Sequence, residues 1–457
     1  MHGTQIQDFT KGNITRQLLV FAWPLLLSNL LQIVYNMVDM MVVGHALGKS
    51  GLSAVSVGGD VTQFLTFVAI GFSAAGQILI ARYIGARQRD QIGRFVGTMT
   101  SFLLLCALVI SAVSLVFQDS ILHLMNTPAE AYAEASSYSR ICMMGLLFIY
   151  GYNVVSAILR GMGDSKHPFI FISIAAILNL ILDLLFVLVF DMGAGGAALA
   201  TVISQGVSFL SCVFFLAKHR QQFELDIRLS AFFHWDRQML GELVKLGTPM
   251  AIKTASVQFS KMFVNSWINS YGVVVSGFAG IANKLASISN LISSTMNTAG
   301  STVVGQNIAA GEFGRVRQIL SRLSIITLSV STVLTLAIVV LPDQVFGLFT
   351  DDTAVLALAG PYIPIAVMVF YAGALRAVMN ALINGSGNYK INFVTAILDA
   401  IVLRIGLALL FGLVFKMEHY GFWLGDAIAN FTPFWIGLVF YLSGHWKKGK
   451  VVETTSS

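Results

Sequence analysis

Asp39 and Asp183 stand inside long apolar runs of the sequence, where an ionisable group is costly and marks a working site by default. Asp39 closes Asn36-Met37-Val38-Asp39, and Asn36, three residues back, shares its face on a helix. Asn179 and Asp183 are four apart, as are Thr201 and Gln205, so each pair also shares a helical face. Two carboxylates with several neutral oxygens suit a hard monovalent cation such as Na+, and they suit a carried proton equally. The plainer reading is polar glue between helices, a role Asn and Thr often fill. Tyr35, Asn36, Asn153, Gln205 and Lys261 are the further polar side chains expected to line a substrate cavity. No His lies in the middle of an apolar run, so a relay must use carboxylates or amines.

The second half carries a different set: Lys253, Lys261, Lys284, Arg376, Asp399, Arg404 and Asp426. Buried charges pair, so Arg376 is expected beside Asp399 and Arg404 beside Asp426, as structural ion pairs. Lys261 has no obvious partner and either snorkels or lines the cavity. Asp60 sits near a span end, where solvation explains it as well as function does. Gly161-Met162-Gly163 follows no strand and precedes no Walker lysine, so it is expected to be a tight turn and not a nucleotide loop. Cys106, Cys142 and Cys212 are scattered among apolar neighbours, a pattern of packing. No catalytic residue, resident cofactor, nucleotide or nucleic-acid partner is expected; the transported Na+ or H+ is the only ion.

The elements that hold these residues must be membrane helices. Of the 457 residues 56% are hydrophobic and 11% charged, with a mean hydropathy of +0.78. Runs long enough to cross a bilayer recur at roughly 16–43, 53–80, 94–117, 137–158, 168–190, 195–217, 243–270, 276–304, 319–341, 361–383, 391–415 and 421–443. They lack the alternation of a membrane barrel. The expected fold is therefore all-α and polytopic, with twelve transmembrane helices. The first residues lack the apolar core of a signal peptide, so cleavage is not expected.

The twelve runs are one unit used twice. Gly161 and Gly385, Gly163 and Gly387, and Lys166 and Lys390 each stand 224 positions apart, as do Gly76 and Gly300, and Tyr138 and Tyr362. Pro24 and Pro249 differ by 225. An internal repeat of apolar spans is the mark of a secondary transporter. Six spans per unit give both halves one orientation, so the expected domains are six-helix bundles at 1–217 and 243–457, joined by a polar linker at 218–242 with a short surface helix. Asp39 maps to Val264, Asn179 to Leu403 and Asp183 to Leu407, so the acidic set belongs to the first half alone.

Charge orients the chain. The net charge is +6 and the isoelectric point about 9.2, but the cations cluster by loop. Arg82, Arg87, Arg89 and Arg94 follow the second run; Arg160 and Lys166 the fourth; Lys218 and Arg220 the sixth; Arg315, Arg317 and Arg322 the eighth; Lys390 the tenth; Lys447, Lys448 and Lys450 the last. Alternate loops are neutral or acidic. By the positive-inside rule both termini are expected in the cytoplasm of a bacterial or archaeal plasma membrane.

Trp23-Pro24 followed by Val38-Asp39-Met-Met-Val-Val-Gly44 resembles the multidrug and toxic compound extrusion (MATE) family. So do Gly76-Gln77 with Gly85-Ala86, Arg160-Gly-Met-Gly-Asp164, Asn179-Leu-Ile-Leu-Asp183 and Gly195-Gly-Ala-Ala-Leu-Ala-Thr201, and in the second half Gly247-Thr-Pro249, Gly300 and Asn384-Gly385. No single motif is diagnostic; their order and spacing over about 15–445 carry the likeness. The resemblance implies two six-helix bundles forming a V-shaped cavity, and antiport of amphiphilic, mostly cationic drugs or metabolites against Na+ or H+ by alternating access, by a monomer in the lipid bilayer. It implies cation binding at Asp39, Asn179, Asp183 and Thr201, as in the prokaryotic branch with an acidic first-lobe site. Lys253, Lys261 and Arg376 depart from a simple cation-accepting cavity. The alternative reading is a flippase for lipid-linked saccharides from the same superfamily. Such a protein should carry arginines in its first-lobe cavity, where this sequence has acids.

Overall fold

A computed structural model describes residues 6–225 and 235–448. Helices account for nearly all of them, and no strand occurs among the described residues. Seven helices are long and apolar enough on composition alone to cross a membrane, and the bent pair Ala129–Met144 and Leu146–Gly161 makes an eighth. One of the seven, Ile14–Gly85, holds the first two spans, because Gly48 at φ 63° and ψ −142° breaks it. The remaining spans are more polar or interrupted. The seventh, Arg237–Asn269, carries Lys245, Lys253 and Lys261. The eighth, Val273–Ala309, is rich in Ser and Asn. The twelfth is split into Glu418–Ala429 and Thr432–Leu442 ahead of Pro433. Twelve helices thus stand where the apolar runs predict them. Large apolar side chains such as Phe64, Phe214, Val273 and Trp435 are exposed along them, as a lipid-facing surface requires.

The repeat is written in the backbone. Gly48 and Gly272, Arg87 and Gly311, and Gly163 and Gly387 all adopt positive φ, and each pair is 224 positions apart. Gly161 and Gly385 are also equivalent, and both allow a close helix approach. A Cβ at Gly161 would stand 2.8 Å from the carbonyl oxygen of Gln77, and one at Gly385 2.9 Å from that of Ser301. The fifth and eleventh spans end alike in π-helical turns, Leu184–Val189 and Leu410–Val414. A second π segment, Leu398–Leu403, interrupts the eleventh span and has no first-half counterpart.

Two compact units result, one of 1–8, 23–84 and 88–251, the other of 9–22, 85–87 and 252–457. In the first, one core gathers Val43, Ala54, Tyr138, Val187 and Ala197, and a second gathers Ala69, Ala107, Leu146 and Tyr150. In the second unit, Phe278, Phe346, Tyr362, Phe370, Phe422 and Trp423 form an aromatic core.

The division departs from the expected 1–217, 218–242 and 243–457. Residues 9–22 belong with the second unit because hydrogen bonds hold them there. Phe9 N donates to Gln306 Oε1 at 2.9 Å, and Arg315 Nε donates to the Phe9 carbonyl at 2.9 Å. Residues 237–251 belong with the first unit: Tyr83 donates to Glu242 at 3.2 Å, and Gly247 packs under Phe72. Both divisions fall within three residues of Pro24 or Pro249, the repeat-related prolines inside the first and seventh helices. Of the expected linker, 226–234 lies outside the described residues, as does any surface helix there, while 237–242 already belongs to the seventh helix.

Candidate cation site

The first unit brings four spans together around two acids. Asp39, late in the first span, is 4% exposed, and Asp183, the last α-helical residue before the π turn of the fifth, is 0% exposed. Their carboxyl groups are near neighbours. Neither carboxylate can donate to the other, and Asp39 Oδ1 and both carboxyl oxygens of Asp183 have no hydrogen-bond partner among the described residues. Two unsatisfied carboxylates side by side in an apolar bundle repel. A proton shared between them, or a small cation bound by both, removes the repulsion.

One turn before Asp183, Asn179 donates to Thr201 Oγ1 on the sixth span at 3.4 Å. Asn179, Thr201, Ser204, Gln205 and Tyr35 line a small cleft beside the acids, and the Tyr35 hydroxyl approaches the Gln205 side chain. Asp39, Asn179, Asp183 and Thr201 are thus neighbours, with Tyr35 and Gln205 at their edge. The other residues expected to line a substrate cavity are not part of this cluster. Asn36 is exposed. Asn153 spends its amide on the Ile149 carbonyl of its own helix, at 2.8 Å. Lys261 faces a separate cavity in the second unit.

Tyr138, on the fourth span, was not among the expected site residues. It is 6% exposed and lies within electrostatic range of Asp39, Tyr35 and Asp183. Gly58 makes room for it: a Cβ there would stand 2.3 Å from its ring. The signal was present in the sequence, because Tyr138 repeats as Tyr362, and Tyr362 likewise neighbours an acid, Asp426.

Of the two expected ion pairs in the second unit, Arg404 with Asp426 forms and Arg376 with Asp399 does not. Arg404 bridges two acids, donating to Asp399 Oδ1 at 3.1 Å and to Asp426 Oδ1. Arg376 forms no ion pair with Asp399 among the described residues; it donates to Asn430 Oδ1 at 2.8 Å. The cause is the π segment Leu398–Leu403. A π turn sets residue i over i+5, so Asp399 turns toward Arg404 in its own span. Lys253 donates to Asn380 Oδ1 at 2.8 Å. Asp60 and Lys284 are exposed.

Two repeated bundles of membrane helices, one holding a buried acid pair, are the plan of a polytopic membrane transporter. A family model described as MatE matches residues 24–185 and 249–410, one match per repeat. The chain belongs to the MatE family, whose members are transporters and not enzymes. Among relatives, it is 29% identical to the probable multidrug resistance protein YoeA of Bacillus subtilis, over 98% of this chain and 97% of that one. It is 26% identical to the probable multidrug resistance protein NorM of Thermotoga maritima, over 96% and 94%. Among solved structures, a MATE protein in the bent conformation matches with a TM-score of 0.89 at 23% identity, over 98% of this chain and 99% of that one. A MOP superfamily transporter from Pyrococcus furiosus matches with a TM-score of 0.88 at 23% identity, over 98% and 100%.

Proposed function

We propose that this chain exports amphiphilic small molecules across a bacterial or archaeal plasma membrane, driven by entry of Na+ or H+ through alternating access. The acid pair Asp39 and Asp183 carries the reading, since its buried oxygens need a cation or proton to be satisfied. Asn179 and Thr201 supply neutral oxygens for the same ion. The relatives named as multidrug resistance proteins, together with the multidrug export protein MepA of Staphylococcus aureus at 22% identity, support drug-like cargo. The basic loops support cytoplasmic termini. A ligand shifts an equilibrium between two states only by its differential affinity, so the coupling ion must bind one state more tightly than the other. The first-lobe acids favour this exporter over the flippase, which would need cations there.

Efflux of a fluorescent cationic dye from proteoliposomes tests the proposal. Asp39→Asn and Asp183→Asn should each abolish efflux against a concentration gradient while the protein still inserts and melts cooperatively. Uphill efflux at the native rate in both variants would overturn it.

A further inference from the structure

The two units differ in the charge their helices gather. The first gathers Asp39 and Asp183. The second gathers four cations, Lys253, Lys261, Arg376 and Arg404, against two acids, Asp399 and Asp426. None of the six is a repeat copy of the first-lobe acids: the positions equivalent to Asp399, Arg404 and Asp426 are Ala175, Leu180 and Val202.

Both acids are engaged by Arg404, though Asp399 Oδ2 has no hydrogen-bond partner among the described residues. Asp426 Oδ1 accepts from Arg404 and Oδ2 from Asn430 at 3.3 Å, and Asp399 Oδ1 accepts from Arg404. The other three cations lie near these acids but form no ion pair among the described residues. Arg376 and Lys253 reach only amide oxygens, those of Asn430 and Asn380. Lys261 has no hydrogen-bond or ion-pair partner among the described residues and projects into a cavity partly open to solvent, whose wall also carries Asp426. Lys253, Lys261 and Arg376 are half-buried, and four cations against two acids leave a surplus of positive charge that favours an anion.

The cavity fits one with an apolar body. Beside Lys261 stand the amides of Asn265, Asn283 and Asn290, and the wall also holds the rings of Tyr362 and Trp423. Asn283 donates to Asn265 Oδ1 at 3.4 Å, which leaves the Asn265 amide N–H groups for a ligand. Ammonium and amide donors recognise a carboxylate or phosphate, and flat rings take the hydrocarbon.

We propose that the second-lobe cavity binds the anionic head, a carboxylate or a phosphate, of an amphiphilic molecule, with Lys261 as its direct counter-ion and Tyr362 and Trp423 against its apolar part. The inference rests on the exporter reading for the purpose of such a site and adds the charge of the bound molecule.

The test is equilibrium binding to the purified full-length protein, so failure of ion coupling and failure of this site are told apart. The probes are dansyl-undecanoic acid, its methyl ester and an amine of the same chain length, in phosphatidylcholine nanodiscs. The acid should bind about tenfold or more tighter than the ester, the size expected of one lost charge-assisted contact. Lys261→Gln should remove most of that preference, and Lys261→Arg should keep it. Equal affinity for acid and ester in the native protein overturns the proposal without any variant; so does an acid preference that Lys261→Gln leaves intact. Adding phosphatidylglycerol to the nanodiscs separates the sources. Competition with the acid identifies a lipid head group as an occupant, and undiminished binding identifies a free organic anion; both outcomes uphold an anion site.

Discussion

At the scale of single residues, the two units solve the burial of charge in opposite ways. Asp39 Oδ1 and both oxygens of Asp183 are left unsatisfied, which is what the proposed ion exchange requires. Asp399 and Asp426 are tied to Arg404, and that makes them structural. Arg404→Met strips Asp399, 0% exposed, of its counter-charge. Breaking a buried pair from one side costs about 3–5 kcal/mol. Thermal unfolding in detergent should show a large fall in melting temperature, partly restored when Asp399→Leu is added. Arg376→Met should cost less, because its partner is the neutral Asn430, whose oxygen also accepts from Arg404 at 3.2 Å. A larger loss from Arg376→Met than from Arg404→Met would contradict this assignment. The meeting of Asp39 with Asp183 and of Asn179 with Thr201 was legible in the sequence, since i, i+4 spacing and ionisable groups in apolar runs point that way. Arg376 with Asp399 was the natural pairing by charge alone. It fails because the five-residue step from Asp399 to Arg404 closes only across a π turn, which no α-helical period reveals.

At the scale of elements, glycines set how closely the spans approach. Gly161 and Gly385 sit against the backbone of the second and eighth spans at equivalent points. A methyl group added at either position meets a carbonyl oxygen that has no side-chain freedom to move. Gly161→Ala and Gly385→Ala should therefore each destabilise by about 1–3 kcal/mol, the usual cost of overpacking. Similar losses in the two melting curves would reflect the repeat, whereas a neutral Gly161→Ala would show that the second and fourth spans are more loosely packed. Gly58→Ala acts on the site itself, because its methyl group would displace Tyr138 from beside the acids. It should impair ion-driven efflux more than it lowers the melting temperature. The helices were legible as apolar runs, and the repeated glycines announced their own importance. The break at Gly145 and the π turns were not, because they arise from how neighbouring helices pack and leave no period of their own.

At the scale of the whole molecule, a duplicated six-helix plan carries two unlike charge clusters. Duplication accounts for the equivalent turns, the paired glycines and the two family matches. The acidic site occurs once, so the driving ion is expected to act through the first unit. The segment 9–22 joins the second unit through side chains no repeat would predict, Gln306, Asn307 and Arg315, which is why its placement escaped the sequence reading. Arg315→Met removes the donors to the carbonyls of Phe9 and Lys11 and should lower stability of this attachment by about 1–3 kcal/mol, read as faster amide exchange over 9–17. The central claim is that ion binding at Asp39 and Asp183 drives export. It is tested most directly by dye transport in proteoliposomes with a Na+ gradient and a pH gradient imposed separately, for the native protein and for Asp39→Asn combined with Asp183→Asn. One of the two gradients should drive uphill movement in the native protein, and neither should do so in the double variant, which should still exchange dye downhill. Uphill movement in the double variant, or in the native protein with both gradients collapsed, would contradict the account.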